Sequence, residues 1–190
     1  MLHILKMQRV AIYNTERSYM KVIDFTHLKG LTLIWCPGDS QLLQSLATLF
    51  ETKGSSLKTF DFTGNLPRHG VVEHFLKACD PFLDLFLLCW HDRDLKFDYA
   101  SLRKHLSSVM ELGLSFPVDN EEEHQASSPL PHAALESLAQ HCTDLEEIAL
   151  AMPATSDSLT GEYEQCLIAL CKCPTLRVLR IFNLPTAPRG

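Results

Sequence analysis

The chain has no long hydrophobic run. Its longest uncharged apolar stretch, Leu85 to Trp90, is six residues, against the roughly 20 that a membrane-spanning helix needs, so no membrane span is expected. A secretory leader is not expected either. In MLHILKMQRVAIYN the charges of Lys6 and Arg9 interrupt the segment before an apolar core of about seven residues can form. Basic charge is in short supply: 17 Lys and Arg stand against 23 Asp and Glu, a net charge of −6. The densest basic group, Arg103-Lys104-His105, is short. A nucleic-acid surface needs a basic stripe, so neither nucleic acid nor membrane is an expected partner. Catalytic signatures are sparse as well, with no phosphate-binding loop, no His-Glu-x-x-His and no Gly-x-Ser-x-Gly.

What the chain does have is a repeated hydrophobic pattern. Leu28, Leu31 and Leu33 stand at relative positions 1, 4 and 6. The same spacing returns at Leu57, Phe60, Phe62; Phe82, Leu85, Leu87; Val109, Leu112, Leu114; Leu145, Ile148, Leu150; and Leu176, Leu179, Ile181. A fainter copy, Leu2, Leu5, Met7, opens the chain. The starts at 28, 57, 82, 109, 145 and 176 give steps of 29, 25, 27, 36 and 31 residues. A period in that range with L-x-x-L-x-L marks a leucine-rich repeat. Each copy reads as a short strand with positions 4 and 6 turned to the core.

Between strands the periodicity turns helical. Ser40 to Lys53 carries Leu42, Leu43, Leu46, Leu49 and Phe50 on one stripe, with Asp39 or Ser40 as N-cap and Gly54 as stop. Further helices are expected over Val71 to Cys79, Tyr99 to Leu106, His132 to Cys142, and Glu162 to Cys173, the last ended by Pro174. Tyr163, Cys166, Leu167, Leu170 and Cys171 form the apolar stripe of the last. One strand–helix unit cannot bury its own apolar faces, but stacked units share a core. The expected fold is therefore a single α/β domain over residues 1–190. It is a leucine-rich repeat solenoid with parallel strands on the concave face and helices on the convex face, opened by a partial repeat over 1–27. The step of 36 holds an acidic, proline-bracketed insertion, Pro117 to Pro131, expected to be a mobile loop.

Two further slots recur. Three residues before the first strand position come Cys79, Cys142 and Cys173, with Gly54 and Leu106 in the same place. The ninth position holds Cys36 and Asn65, residues that satisfy backbone groups where a strand turns away. Seven cysteines, an odd number, without a secretory signal suit an intracellular chain with reduced thiols, cytoplasmic or nuclear.

On Leu28-x-x-Leu31-x-Leu33-x-x-Cys36 and Cys173-Pro174-x-Leu176-x-x-Leu179-x-Ile181, the chain resembles the cysteine-containing, ribonuclease-inhibitor-like leucine-rich repeats of many F-box proteins. The likeness covers roughly residues 28–184, and the uneven repeat length is similar to that of divergent fungal members. The resemblance implies the substrate-recognition half of a ubiquitin-ligase receptor. The F-box itself, through which a ligase adaptor would be engaged, has no counterpart here. A free-standing repeat scaffold or inhibitor is the alternative.

Positions 3, 5 and 7 of each strand face the opposite way from the core. The middle of that face carries Asp61, Asp84, Glu111 and Glu147 around Phe86 and Leu88, with Arg180 on the last strand. An apolar anchor ringed by carboxylates favours a protein partner presenting a hydrophobe among Lys and Arg; alternatively, the acids serve only to keep the sheet face soluble. The loop Trp90-His91-Asp92-Arg93-Asp94 adds Trp90 and Arg93 as anchors. Trp35 holds a similar place, and either Trp instead covers the edge of its repeat.

An enzyme reading starts at Gly38-Asp39-Ser40, a strand-to-helix junction similar to the nucleophile block of GDSL hydrolases, in which Ser40 would attack an ester. Gln41 stands where that family has Leu, and the only Asp-x-x-His is upstream, at Asp24 to His27. A zinc site needs four ligands, usually in two close pairs. Cys171-x-Cys173 is one close pair, Cys166 lies on a helix stripe, and no second pair is near. No catalysis, metal or cofactor is expected.

Overall fold

The structure is a computed structural model. It describes residues 2–12, 23–67, 70–90, 97–117, 127–128, 130, 132–151 and 161–181. Seven parallel strands lie side by side in chain order: β1 (Ile4–Gln8), β2 (Gly30–Ile34), β3 (Thr59–Asn65), β4 (Asp84–Trp90), β5 (Glu111–Pro117), β7 (Glu147–Leu150) and β8 (Val178–Ile181). Between β5 and β7 the short β6 (Ser127–Ser128) pairs antiparallel with Phe116 and Pro117. Four α-helices connect strands: α1 (Asp39–Lys53), α2 (Val71–Ala78), α3 (His132–His141) and α4 (Gly161–Leu170). This is an α/β architecture.

The strand phase follows the sequence pattern. Leu31, Leu33, Phe60, Phe62, Leu85, Leu87, Leu112, Leu114, Ile148 and Leu150 are all buried. They form one core with Leu42, Leu46, Phe50, Phe75 and Leu138 of the helices. The alternate residues of β3 are half-exposed, so one sheet face carries the helices and the other is open. The first-position residues Leu28, Leu57, Phe82, Val109 and Leu145 are also buried; they close the core where the chain enters each strand. Pairing keeps equivalent positions level across the sheet: Thr32, Asp61, Phe86, Gly113, Ala149 and Arg180 lie in one row.

The recurrent cysteines pack as the spacing suggests. Cys79, Cys142 and Cys173 are buried, and none of the seven cysteines is joined in a disulfide. Burial pushes the Cys79 and Cys142 thiols up to about 12. Cys36 donates its S–H to Met7 O at 3.4 Å and Ile34 O at 3.5 Å. It thereby serves two carbonyls where adjacent strands end, as a weak thiol donor can.

Several local expectations are corrected. The N-cap of α1 is Gly38, with φ of 89°, and Asp39 is the first helical residue. A Cβ on Gly38 would lie 3.1 Å from the Ile12 carbonyl, so neither Asp39 nor Ser40 could take that place without strain. The stretch expected as a helix from Tyr99 to Leu106 is instead a 3₁₀ turn, Tyr99–Leu102. It continues in three-residue steps, with Arg103 N–H bonding Ala100 O and His105 N–H bonding Leu102 O. A 3₁₀ path rises about 2.0 Å per residue against 1.5 Å for an α-helix, and so crosses the layer with fewer residues in a short repeat. Helix α4 ends at Leu170, ahead of Pro174, and Cys171 is exposed. The 117–131 insertion is tied back to the sheet by β6, and Leu130 is buried; residues 118–126 lie outside the described residues.

Among the buried polar side chains are two titratable ones that were not foreseen. Glu73, on α2, is buried and accepts the Asp98 N–H at 3.3 Å through Oε1, pinning the approach to the 3₁₀ turn. His105 is fully buried between Leu76 and Phe82.

Candidate functional site

The open sheet face collects most of the residues that the sequence singles out. Asp61, Asp84, Phe86, Leu88, Glu111, Glu147 and Arg180 all sit on strand positions 3, 5 or 7. The backbone of Trp90 ends β4, but its side chain and all of Arg93 lie outside the described residues. Trp35 follows β2 and is 38% exposed with a positive φ of 50°, which is unusual for so bulky a residue. It borders a hollow with Asp39, Ser40 and Leu66 at the strand ends.

At the centre of the face is a hollow of about 160 Å³ lined by Asp61, Thr63, Phe86, Leu87, Leu88 and Gly113. Its shape depends on Gly113. A Cβ there would stand 2.3 Å from Phe86 Cδ1, so the Phe86 ring lies across the bare backbone of β5. Gly113 is the seat of the apolar anchor and not a gap in the surface. Replacing it by valine should push the ring out of its seat. We expect a loss of about 1–3 kcal/mol, the usual cost of overpacking, measured by urea denaturation, together with shifted Phe86 ring resonances in NMR. Unchanged ring resonances would show that the ring does not rest there.

The carboxylates differ in their state. Partial burial raises the pKa of Asp61, which Lys6 offsets only in part, and burial alone raises that of Asp84. Among the described residues neither makes a hydrogen bond or ion pair. Glu147 is already engaged: Arg180 donates from Nε to Oε1 and from Nη2 to Oε2, the latter at 3.1 Å. Glu147 and Arg180, both expected from sequence to meet a partner, thus form a forked pair with each other. Glu111 is exposed on β5 beside this pair.

The other chemistry weighed from sequence does not converge. Asp24 and His27 do pair, Oδ2 to Nδ1 at 2.9 Å. They precede β2, whereas Ser40 follows it, and β2 is five residues, roughly 13 Å at about 3.3 Å per residue. Ser40 Oγ donates instead to Asp39 Oδ1 at 3.2 Å. Among the described residues no three His, Cys, Asp or Glu groups meet as a metal site would require. No helix among them is long and apolar enough to cross a membrane. A larger hollow, about 380 Å³, lies on the helical side where the 3₁₀ turn meets α3, lined by Phe97, Tyr99, Leu102, Ala134 and Leu138. It includes none of the residues expected from sequence to bind a partner. The larger hollow is also lined by Asp98 and Arg103; the sheet face is favoured because Asp61, Phe86 and Leu88, all expected from sequence to meet a partner, converge on its hollow.

Neither the protein-family models nor the curated proteins searched contain a match to this chain. The functional reading therefore stands on the residues themselves.

Proposed function

We propose that the chain is a leucine-rich repeat solenoid that recognises a protein partner on its open, concave sheet face and carries out no catalysis. One observation carries this reading: a half-exposed aromatic, Phe86, seated on Gly113 in a hollow lined also by Asp61, whose carboxylate has no hydrogen-bond or ion-pair partner among the described residues. An isolated acid on a sheet face serves solubility. An apolar side chain held in a shaped hollow beside a desolvated acid has the make-up of an interface centre, an apolar anchor with a polar rim. The likeness over Leu28 to Cys36 and Cys173 to Ile181 extends the proposal to the substrate-binding part of an F-box-like ubiquitin-ligase receptor; fold alone does not fix function.

The test is affinity purification of the tagged chain from its native cells, with mass spectrometry of the proteins that accompany it. A specific partner should be recovered, lost with Phe86→Ser and kept with Ile168→Ser, a change on an exposed helical position. Recovery of a cullin and its adaptor supports the ligase version, and a partner without ligase subunits supports a free-standing scaffold or inhibitor. A partner lost with Ile168→Ser and kept with Phe86→Ser contradicts the sheet-face reading.

A further inference from the structure

We infer that the hollow between Phe86 and Asp61 receives the side chain of one lysine or arginine of the bound partner. The inference rests on the reading of this face as the binding surface and adds which chemical group enters it. The walls are of two kinds. The Phe86 ring and Leu88 are apolar and half-exposed, and Asp61 and Thr63 bring a carboxylate and a hydroxyl to the same hollow. A basic side chain matches both. Its methylene stem lies along apolar surface while its charged head reaches a polar group, and a cation over an aromatic face gains a further attraction.

Other occupants fit less well. A purely apolar side chain would strip more water from Asp61 and leave its charge unpaired, which is costly. An anion would meet Asp61, with Asp84 and Glu111 on the neighbouring strands. Among the described residues no lysine or arginine forms an ion pair with Asp61, although Lys6 lowers its pKa through space. Lys6 stands in the same row but two strands away, on β1, at about 4.8 Å per strand, and Arg180 is committed to Glu147. The face thus already holds one arginine–carboxylate pair within the chain, and at Asp61 it offers the acid half of a second.

Selection of random dodecapeptides displayed on phage, against the full chain, tests this. Enriched peptides should share a Lys or Arg. The tightest, made synthetically, should lose about tenfold in affinity with Asp61→Asn, as it should when its own basic residue is replaced by norleucine; tenfold corresponds to about 1.4 kcal/mol. Thermal melting of the Asp61→Asn protein shows that it is folded. Peptides that lose affinity with Phe86→Ala but not with Asp61→Asn overturn the basic-residue slot and leave the sheet face as the binding surface. Peptides indifferent to both substitutions overturn the slot and the surface together. Failure to enrich any peptide counts against the slot.

Discussion

Replacing Phe60 by alanine should cost about 3–5 kcal/mol, the range for removing a large buried aromatic. Phe60 is 1% exposed at the fourth position of its repeat, within β3. Its ring lies 4.7 Å from Phe75 of α2, 6.0 Å from Phe82 at the entry to β4, and 6.2 Å from Phe62. Phe75 in turn meets Phe50 of α1 at 6.0 Å. The ring therefore joins strand to helix within one repeat and that repeat to the next through Phe82, while Phe75 carries the cluster on to Phe50 of the repeat before. Its removal would leave a hole lined by rigid rings that cannot all close in, and the penalty grows with the volume left empty. Single domains are stable by only about 5–15 kcal/mol, so this one change should remove much of the total. Urea denaturation should show a large fall in the midpoint with little change in slope. Phe86→Ala, on the half-exposed open face, should cost far less. A loss below about 1 kcal/mol for Phe60→Ala would contradict the packing described.

Acidification should weaken the fold through His105. Its Nε2–H donates to Leu76 O at 3.0 Å, its Nδ1 accepts the Phe82 N–H at 3.3 Å, and its ring stacks on Phe82 at 4.7 Å. That pattern requires the neutral imidazole. Protonation would place an N–H at Nδ1 facing another N–H and bury a charge. Burial therefore drops the His105 pKa from its ordinary 6.5 to about 4; the bond to Leu76 O opposes this in part, and Lys104 adds to it. Between those values the unfolded chain binds more protons than the folded one, so stability falls as the pH falls from about 6.5 to about 4. Over the whole window the loss attributable to His105 is on the order of 3 kcal/mol.

The raised carboxylates Asp39, Asp61 and Asp84 act in the opposite sense just above their ordinary range, because their folded forms hold protons more tightly. Comparing wild type with His105→Gln at pH 7 and pH 4 removes those shared terms. Wild type should lose about 3 kcal/mol more than the variant over that interval. Equal losses would show that His105 is not held neutral.

The strands could be read from the sequence because a half-buried strand alternates, and L-x-x-L-x-L fixes which residues alternate inward. Leu31 and Leu33, Phe60 and Phe62, and Leu112 and Leu114 needed no knowledge of distant contacts. The in-register stacking follows from the same count. What could not be read depends on contacts between repeats. His105 looked like part of a basic surface group because its partners, Leu76 and Phe82, are more than 20 residues away. Glu73 lies next to Val72 on a helix whose apolar stripe passes it, and its partner Asp98 comes from the following connection. Tyr99 to Leu106 has helical spacing, yet the chain takes three-residue turns there. Nothing local shows that the Phe86 ring lies over Gly113, on the next strand. The forked pair of Arg180 with Glu147 joins two strands 33 residues apart, which no local pattern reports.

The most direct test of the central claim is site-specific photocrosslinking in native cells. One form of the full chain carries a benzophenone amino acid at Leu88 on the open sheet face, and another carries it at Ile168 on the helical side. The account predicts a discrete crosslinked partner from Leu88 and none from Ile168. Crosslinking of a partner from Ile168 alone would contradict it.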